Sequence, residues 1–185
     1  MDDLLSATNE LVVLLEQHKL TYAVGGALAF SVWAVPRATL DIDINVWCAP
    51  EEIRPTLERL FSFGVEGDIE KALQQAQNQG VSYLKWRGIR LDIFFPSIEF
   101  YEEALRTRVR LQVPRVGVAW VLSAEVVAVF KLLFFRPKDL LDIEKIVKVR
   151  GAALDRSYIR EHLVAMVEQD DARVLHWDAL CARVP

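Results

Sequence analysis

The sequence predicts an α+β fold, with strands and helices interleaved over the first two thirds and a helical segment at the C-terminal end. Three observations carry this reading. Residues 20–46 run as strand, Gly25-Gly26, helix and strand; residues 80–95 run as two strands about a tight turn; and from Ser123 onward the apolar spacing is helical. A length of 185 residues gives one domain, divided into a core over residues 1–118 and a helical segment over residues 119–185.

Taken in order, Asp2–His18 reads as an amphipathic helix with Leu4, Leu5, Leu11, Leu14 and Leu15 on or near one face. Leu20–Val24 is the first strand, Ala27–Val35 the helix after the glycines, and Pro36 ends it. Side chains alternate along a strand, so within Leu40–Val46 the polar Asp41, Asp43 and Asn45 share one face. Leu40, Ile42, Ile44 and Val46 share the other, which reads as core. Two carboxylates held side by side raise each other's pKa unless a positive charge sits between them. A divalent cation is the usual remedy, and oxygen-only ligands beside a phosphate favour magnesium. Glycines entering a helix let phosphate oxygens approach the backbone N–H groups at its N-terminus. Gly25, Gly26, Asp41 and Asp43 together therefore read as a nucleotide–metal site.

Ala49-Pro50-Glu51 opens a helix running to about Phe61. Gly64, Gly67 and Asp68 read as a loop, and Ile69–Gln79 as a short polar helix. Gly80–Leu84 and Ile89–Phe95 form an antiparallel pair about Trp86-Arg87-Gly88, and Asp92 in the second strand is a natural third carboxylate. Arg106, Arg108 and Arg110 alternate through Arg106–Val113, which reads as a strand carrying all three on one face. That face is either a solvated edge that discourages strand association or a track for acceptor phosphates. Ser123 caps a nearly apolar helix through Phe135 in which Lys131 must snorkel or find an anion. Pro137 suits the first turn of a helix over Lys138–Val149, with Asp139 and Asp142 on one face and Leu140, Ile143 and Val147 on another. Arg156–Glu168 is a last helix and Arg173–Pro185 a tail, while His18, His162 and His176 are surface or packing residues.

The chain is 52% hydrophobic, ample for a sizeable core, and its formal charge of −4 argues against a general polyanion binder while leaving room for a local basic patch. Cys48 and Cys181 form neither a disulfide framework nor a zinc spacing; as free thiols they fit a reducing cytoplasm. Met1-Asp2-Asp3 is acidic, unlike a secretory signal. Glu125 and Lys131 interrupt the longest apolar run, so no membrane span is expected.

Gly25-Gly26 followed by Arg37-x-Thr39-x-Asp41-x-Asp43 resembles the nucleotidyltransferase superfamily, and within it the small AbiEii-type and related toxin-like nucleotidyltransferases. The resemblance implies a mixed sheet flanked by helices and magnesium-dependent transfer of a nucleotidyl group from an NTP. Ala27 stands where many members carry a Ser on the phosphates. Asp92 matches the family's third acid, whose implied role is to hold a metal and draw the proton from the acceptor hydroxyl. The block from Leu122 through Lys131, then Arg136-Pro137-Lys138-Asp139 to Ile143, is similar to the family's later motifs. Carried over, Lys131 contacts the NTP phosphates, Asp139 supports the site and Asp142 forms a salt bridge. The resemblance thus makes Asp41, Asp43 and Asp92 catalytic and metal-binding, and Gly25, Gly26, Arg37, Thr39, Lys131 and Asp139 nucleotide-binding, with residues 119–185 completing the site. The resemblance leaves the acceptor open: one reading is RNA or another cellular acceptor, as in toxin–antitoxin systems, where a cognate antitoxin protein would be a partner. The alternatives are a small hydroxylated acceptor such as an aminoglycoside, or a non-catalytic module that binds a nucleotide or a partner protein.

Overall fold

A six-stranded mixed sheet forms the frame of the computed structural model, which describes residues 2–184. Met1 of the acidic N-terminus and Pro185 of the expected tail lie outside the described residues. The chain begins with helix α1 (Asp2–Gln17), then β1 (Thr21–Val24), α2 (Gly26–Trp33) and β2 (Asp41–Trp47). A 3-10 turn at Pro50–Glu52 leads into α3 (Ile53–Ser62), followed by α4 (Ile69–Gln79), β3 (Val81–Trp86) and β4 (Ile89–Phe94). Next come α5 (Phe100–Thr107), β5 (Val109–Val113), β6 (Gly117–Val121), α6 (Ala124–Phe134), α7 (Pro137–Arg150), α8 (Arg156–Met166) and α9 (Ala172–Arg183). The strand order is β3-β4-β2-β1-β6-β5. The β1/β6 and β2/β4 pairs are parallel, and the others antiparallel.

The two faces of the sheet have different occupants. On one, Ile42, Ile44, Leu91, Ile93, Leu84 and Trp86 are buried. There the Trp86 indole donates to the Ala7 carbonyl of α1, and the Ser82 hydroxyl to the Ala72 carbonyl of α4. The other face carries Asp41, Asp43, Asn45 and Trp47, whose indole donates to the Tyr101 carbonyl of α5. Asn45 is buried there, so this face is not free of core. Leu40 departs from the expected alternation: it precedes the strand and is 89% exposed.

The polar helix α4 forms as expected. The Asp68 side chain accepts from the Lys71 N–H, and Gly80 ends the helix with φ 69°, where a glycine avoids strain. The arginine strand does not form as expected. Phe100, Tyr101 and Ala104 are buried at helical spacing, so α5 runs through Arg106 and β5 begins only at Val109. Arg106 pairs with Glu103 one turn back, at 2.6 Å. Arg108 lies 4.3 Å over the Trp120 ring and donates to the Tyr22 carbonyl, and Arg110 faces Glu16 at 4.0 Å. Arg108 and Arg110 both lie by Trp120 and Glu16, and Arg106, on α5, does not join them on one strand face. The expected tail is also a helix: Asp171 caps α9, and Val174, Trp177 and Leu180 recur at every third position as its buried stripe. His18 stacks on Phe63, His162 on Phe100 and Tyr158, and His176 packs edge-on to Phe135. Among the described residues no helix is long and apolar enough to cross a membrane.

Candidate metal and nucleotide site

Parallel pairing of β2 with β4 sets Asp43 opposite Asp92 and Asp41 opposite Arg90. Asp41, Asp43 and Asp92 each offer a carboxylate oxygen within 4.8 Å of the others. Burial of Asp43, then the charges of Asp41 and Asp92, push its carboxyl from an ordinary 3.8 up to about 7, against a smaller pull from Lys131 and the Ala27 N–H. The Thr39 hydroxyl donates to Asp41. Arg90 holds Asp92 with two parallel bonds of 2.8 Å, from Nε to Oδ1 and from Nη2 to Oδ2.

Both glycines abut the same residue, Gly25 its backbone and Gly26 its carboxylate. Gly25 precedes the first turn of α2, and its N–H donates to the Asp43 carbonyl at 2.9 Å. Gly26 has φ 52°, and a Cβ there would lie 1.8 Å from Asp43 Oδ2. Glycine is needed because the acid sits directly against the entry to the helix.

A second charged cluster lies on α6 and α7. Lys131 is 6% exposed, and its ammonium donates to Asp142 Oδ2 at 2.7 Å and to Asp139 Oδ1 at 3.4 Å. Arg37 reaches Asp142 from the loop before β2, with Nε 3.1 Å from Oδ1 and Nη2 3.0 Å from Oδ2. Arg136 reaches Asp139 from the start of α7, Nε to Oδ2 at 2.5 Å. Burial alone would push the Asp142 carboxyl up, but the bonds from Arg37 and Lys131 outweigh it and hold the group below its ordinary value. The expectation that Asp142 forms a salt bridge is met, with two partners.

The clusters meet at one cavity of about 550 Å³. Of the sequence-predicted site residues, Gly26, Arg37, Asp41, Asp43, Asp92, Lys131 and Asp139 line it; Gly25 and Thr39 stand behind it as supports. Arg90, Arg136 and Lys138 also line it; the sequence reading passed over Arg90 and gave Arg136 and Lys138, though within the later motif, no role of their own. Arg90 was within reach of strand alternation, two residues before Asp92 on the same face. Arg136, just ahead of Pro137, occupies the position that caps α7.

Together these features define a nucleotidyltransferase-like fold with a triad of acids at its centre. No protein-family model matches the chain, and no curated protein sequence does. Among solved structures, the solution structure of the antibiotic-resistance factor ANT(2'')-Ia resembles it with a TM-score of 0.62 and 14% identity, over 99% of this chain and 98% of that one. A crystal structure of ANT(2")-Ia in complex with adenylyl-2"-tobramycin gives 0.54 at 15% identity, over 94% of each. The lincosamide antibiotic adenylyltransferase LnuA, lincomycin-bound, gives 0.51 at 17% identity, over 76% of this chain and 94% of that one.

Proposed function

We propose that the protein is a magnesium-dependent nucleotidyltransferase that moves a nucleotidyl group from an NTP to a hydroxyl of a small molecule. The carrying observation is the convergence of Asp41, Asp43 and Asp92 on one point. Burial first, and then the charges of Asp41 and Asp92, drives Asp43 up to about 7, and an all-oxygen donor set suits magnesium. Arg90 does not exclude this, because each Asp92 oxygen keeps a second lone pair. Asp41, Asp43 and Asp92 would hold the metal, whose positive charge would offset the charge that develops as pyrophosphate leaves.

The chain's own residues supply the rest. The acceptor oxygen forms a bond to the α-phosphorus, the bond from that phosphorus to the bridging oxygen breaks, and pyrophosphate carries away the electron pair. Asp92, oriented by Arg90, takes the hydroxyl proton. Around the α6–α7 cluster three cations, Arg37, Lys131 and Arg136, face two acids, Asp139 and Asp142, and Lys138 adds a further positive charge. That excess is assigned to the phosphates. Residues 119–185 complete the site through this cluster. A neighbour in complex with adenylyl-2"-tobramycin and one named as a lincosamide antibiotic adenylyltransferase support a small acceptor. An RNA acceptor, the AbiEii-type toxin-like subfamily and an antitoxin partner rest on the sequence motifs alone, and the arginine face invoked for RNA is not formed. The two free cysteines support a reducing, cytoplasmic compartment.

The test is to incubate the protein with magnesium, each α-labelled NTP, total RNA and a panel of hydroxylated small molecules. Label should pass to a small molecule and be lost in an Asp41→Asn, Asp43→Asn double variant that still folds. A double variant retaining wild-type transfer would overturn the site.

A further inference from the structure

We infer that the acceptor taken by this site is an uncharged, hydroxylated small molecule with an aromatic or aliphatic face, rather than a polycation. The inference rests on the nucleotidyl-transfer reading and concerns the half of the cavity that reading leaves unused. One register step beyond Asp43 and Asp92, Asn45 lies opposite Phe94, and on the neighbouring strand Val81 lies opposite Phe94 where Tyr83 faces Asp92. The same sheet face therefore turns from charged to apolar within two residues. Helix α6 continues the apolar wall, with Phe134 against Phe94 at 6.4 Å between ring centroids and Phe130 against Tyr101 at 5.1 Å. Phe134 borders the cavity and is 51% exposed, so part of its ring is open to a ligand although Arg136 lies 4.7 Å over it.

Two polar groups in this half, Tyr101 and Asn45, are neutral. Tyr101 is 6% exposed and lines the cavity, and its hydroxyl has no hydrogen-bond partner among the described residues. Burial pushes that phenol up, so it stays an uncharged donor. Asn45, also buried at the cavity wall, has only a 3.5 Å bond from its amide nitrogen to the Ala23 carbonyl. A buried phenol and amide that lack good partners are suited to a hydroxylated ligand.

Charge points the same way. Of the lining carboxylates, Asp92 is held by Arg90 and Asp139 by Lys131 and Arg136, while Asp41 and Asp43 are the acids that would hold the metal. Five cations, Arg37, Arg90, Lys131, Arg136 and Lys138, line the same cavity. A polycationic acceptor would enter with no carboxylate left to pair with its ammonium groups, and leaving them desolvated and unpaired is costly. A ring or alkyl face, by contrast, would stack on Phe94, Phe130 and Phe134.

The experiment measures equilibrium binding of three probes to the full chain saturated with magnesium and α,β-methylene-ATP. The probes are 4-nitrophenyl β-D-glucopyranoside, glucose and tobramycin. The aryl glucoside should bind about tenfold or more tighter than either of the others, because it alone adds an uncharged ring to a sugar. Phe134→Ala should weaken it by roughly fivefold or more, and Phe134→Leu should restore most of the loss. Equal binding of glucose, tighter binding of tobramycin, or expulsion of the aryl glucoside by the nucleotide analogue would overturn the proposal; the last would assign the aromatic wall to the base. Metal–nucleotide binding, compared between wild type and the Asp41→Asn, Asp43→Asn variant, is read separately. Its failure would strike the transfer reading and not the acceptor class.

Discussion

At the scale of the residue, Asp43 is the most strained group in the site, and its strain is electrostatic. Its native pKa of about 7 lies above the ordinary 3.8, so between those values the folded protein binds more protons there than the unfolded chain. Stability contributed by this group is therefore full below about pH 4 and is lost as pH rises towards 7, by ~1.4 kcal/mol for each unit that pH climbs through that window. In metal-free protein, urea midpoints measured from pH 4 to 8 should fall more steeply for wild type than for Asp43→Asn, and added magnesium should narrow the gap. A pH profile identical in the two proteins would remove the strain from Asp43. Gly26 is bound to the same carboxylate. Gly26→Ala places a methyl where Asp43 Oδ2 stands and forces φ 52° on an alanine. It should cost about 1–3 kcal/mol of stability and weaken metal binding by roughly tenfold or more, both readable by calorimetry.

At the scale of the element, α6 and α7 are joined through charge. Lys131 was legible in the sequence as a cation that needed an anion within an apolar helix, but its partners were not, because Asp139 and Asp142 approach it only when α7 folds back. A Lys131→Met variant keeps the apolar stem yet leaves each acid with one arginine partner. It should lose about 1.5–3 kcal/mol, the value of hydrogen bonds to charged groups. Adding Asp142→Asn should return part of that stability without returning nucleotide affinity; recovery of both would make Lys131 structural. The strand bearing Asp41 and Asp43 was legible because the paired acids follow a strand, Gly25-Gly26, a helix and a basic residue in that order; Asp-x-Asp alone also suits a solvated edge. The arginines at 106, 108 and 110 misled because their alternate spacing suits a strand, while the buried Phe100, Tyr101 and Ala104 stripe that extends α5 through Arg106 was read as nothing. Arg90's clamp on Asp92 follows from alternation; the stacking of Arg108 on Trp120 does not, since it joins positions twelve residues apart across a β-hairpin.

At the scale of the whole molecule, the sheet separates a packing face from a chemical face, and the C-terminal helices close the chemical side. α9 belongs to that closure. Trp177 is 1% exposed within the single hydrophobic core, so Trp177→Ala should cost about 3–5 kcal/mol in urea unfolding, as a core truncation and not the loss of a loose tail. The central claim is that the chemical face gathers one divalent cation and a nucleotide at Asp41, Asp43 and Asp92. Its most direct test is electron paramagnetic resonance of Mn²⁺, standing in for magnesium, titrated into the protein with α,β-methylene-ATP. Wild type should bind one Mn²⁺ whose affinity rises with the nucleotide, and the Asp41→Asn, Asp43→Asn variant should bind none in the same range. Equal nucleotide-dependent Mn²⁺ binding by the two proteins would contradict the claim.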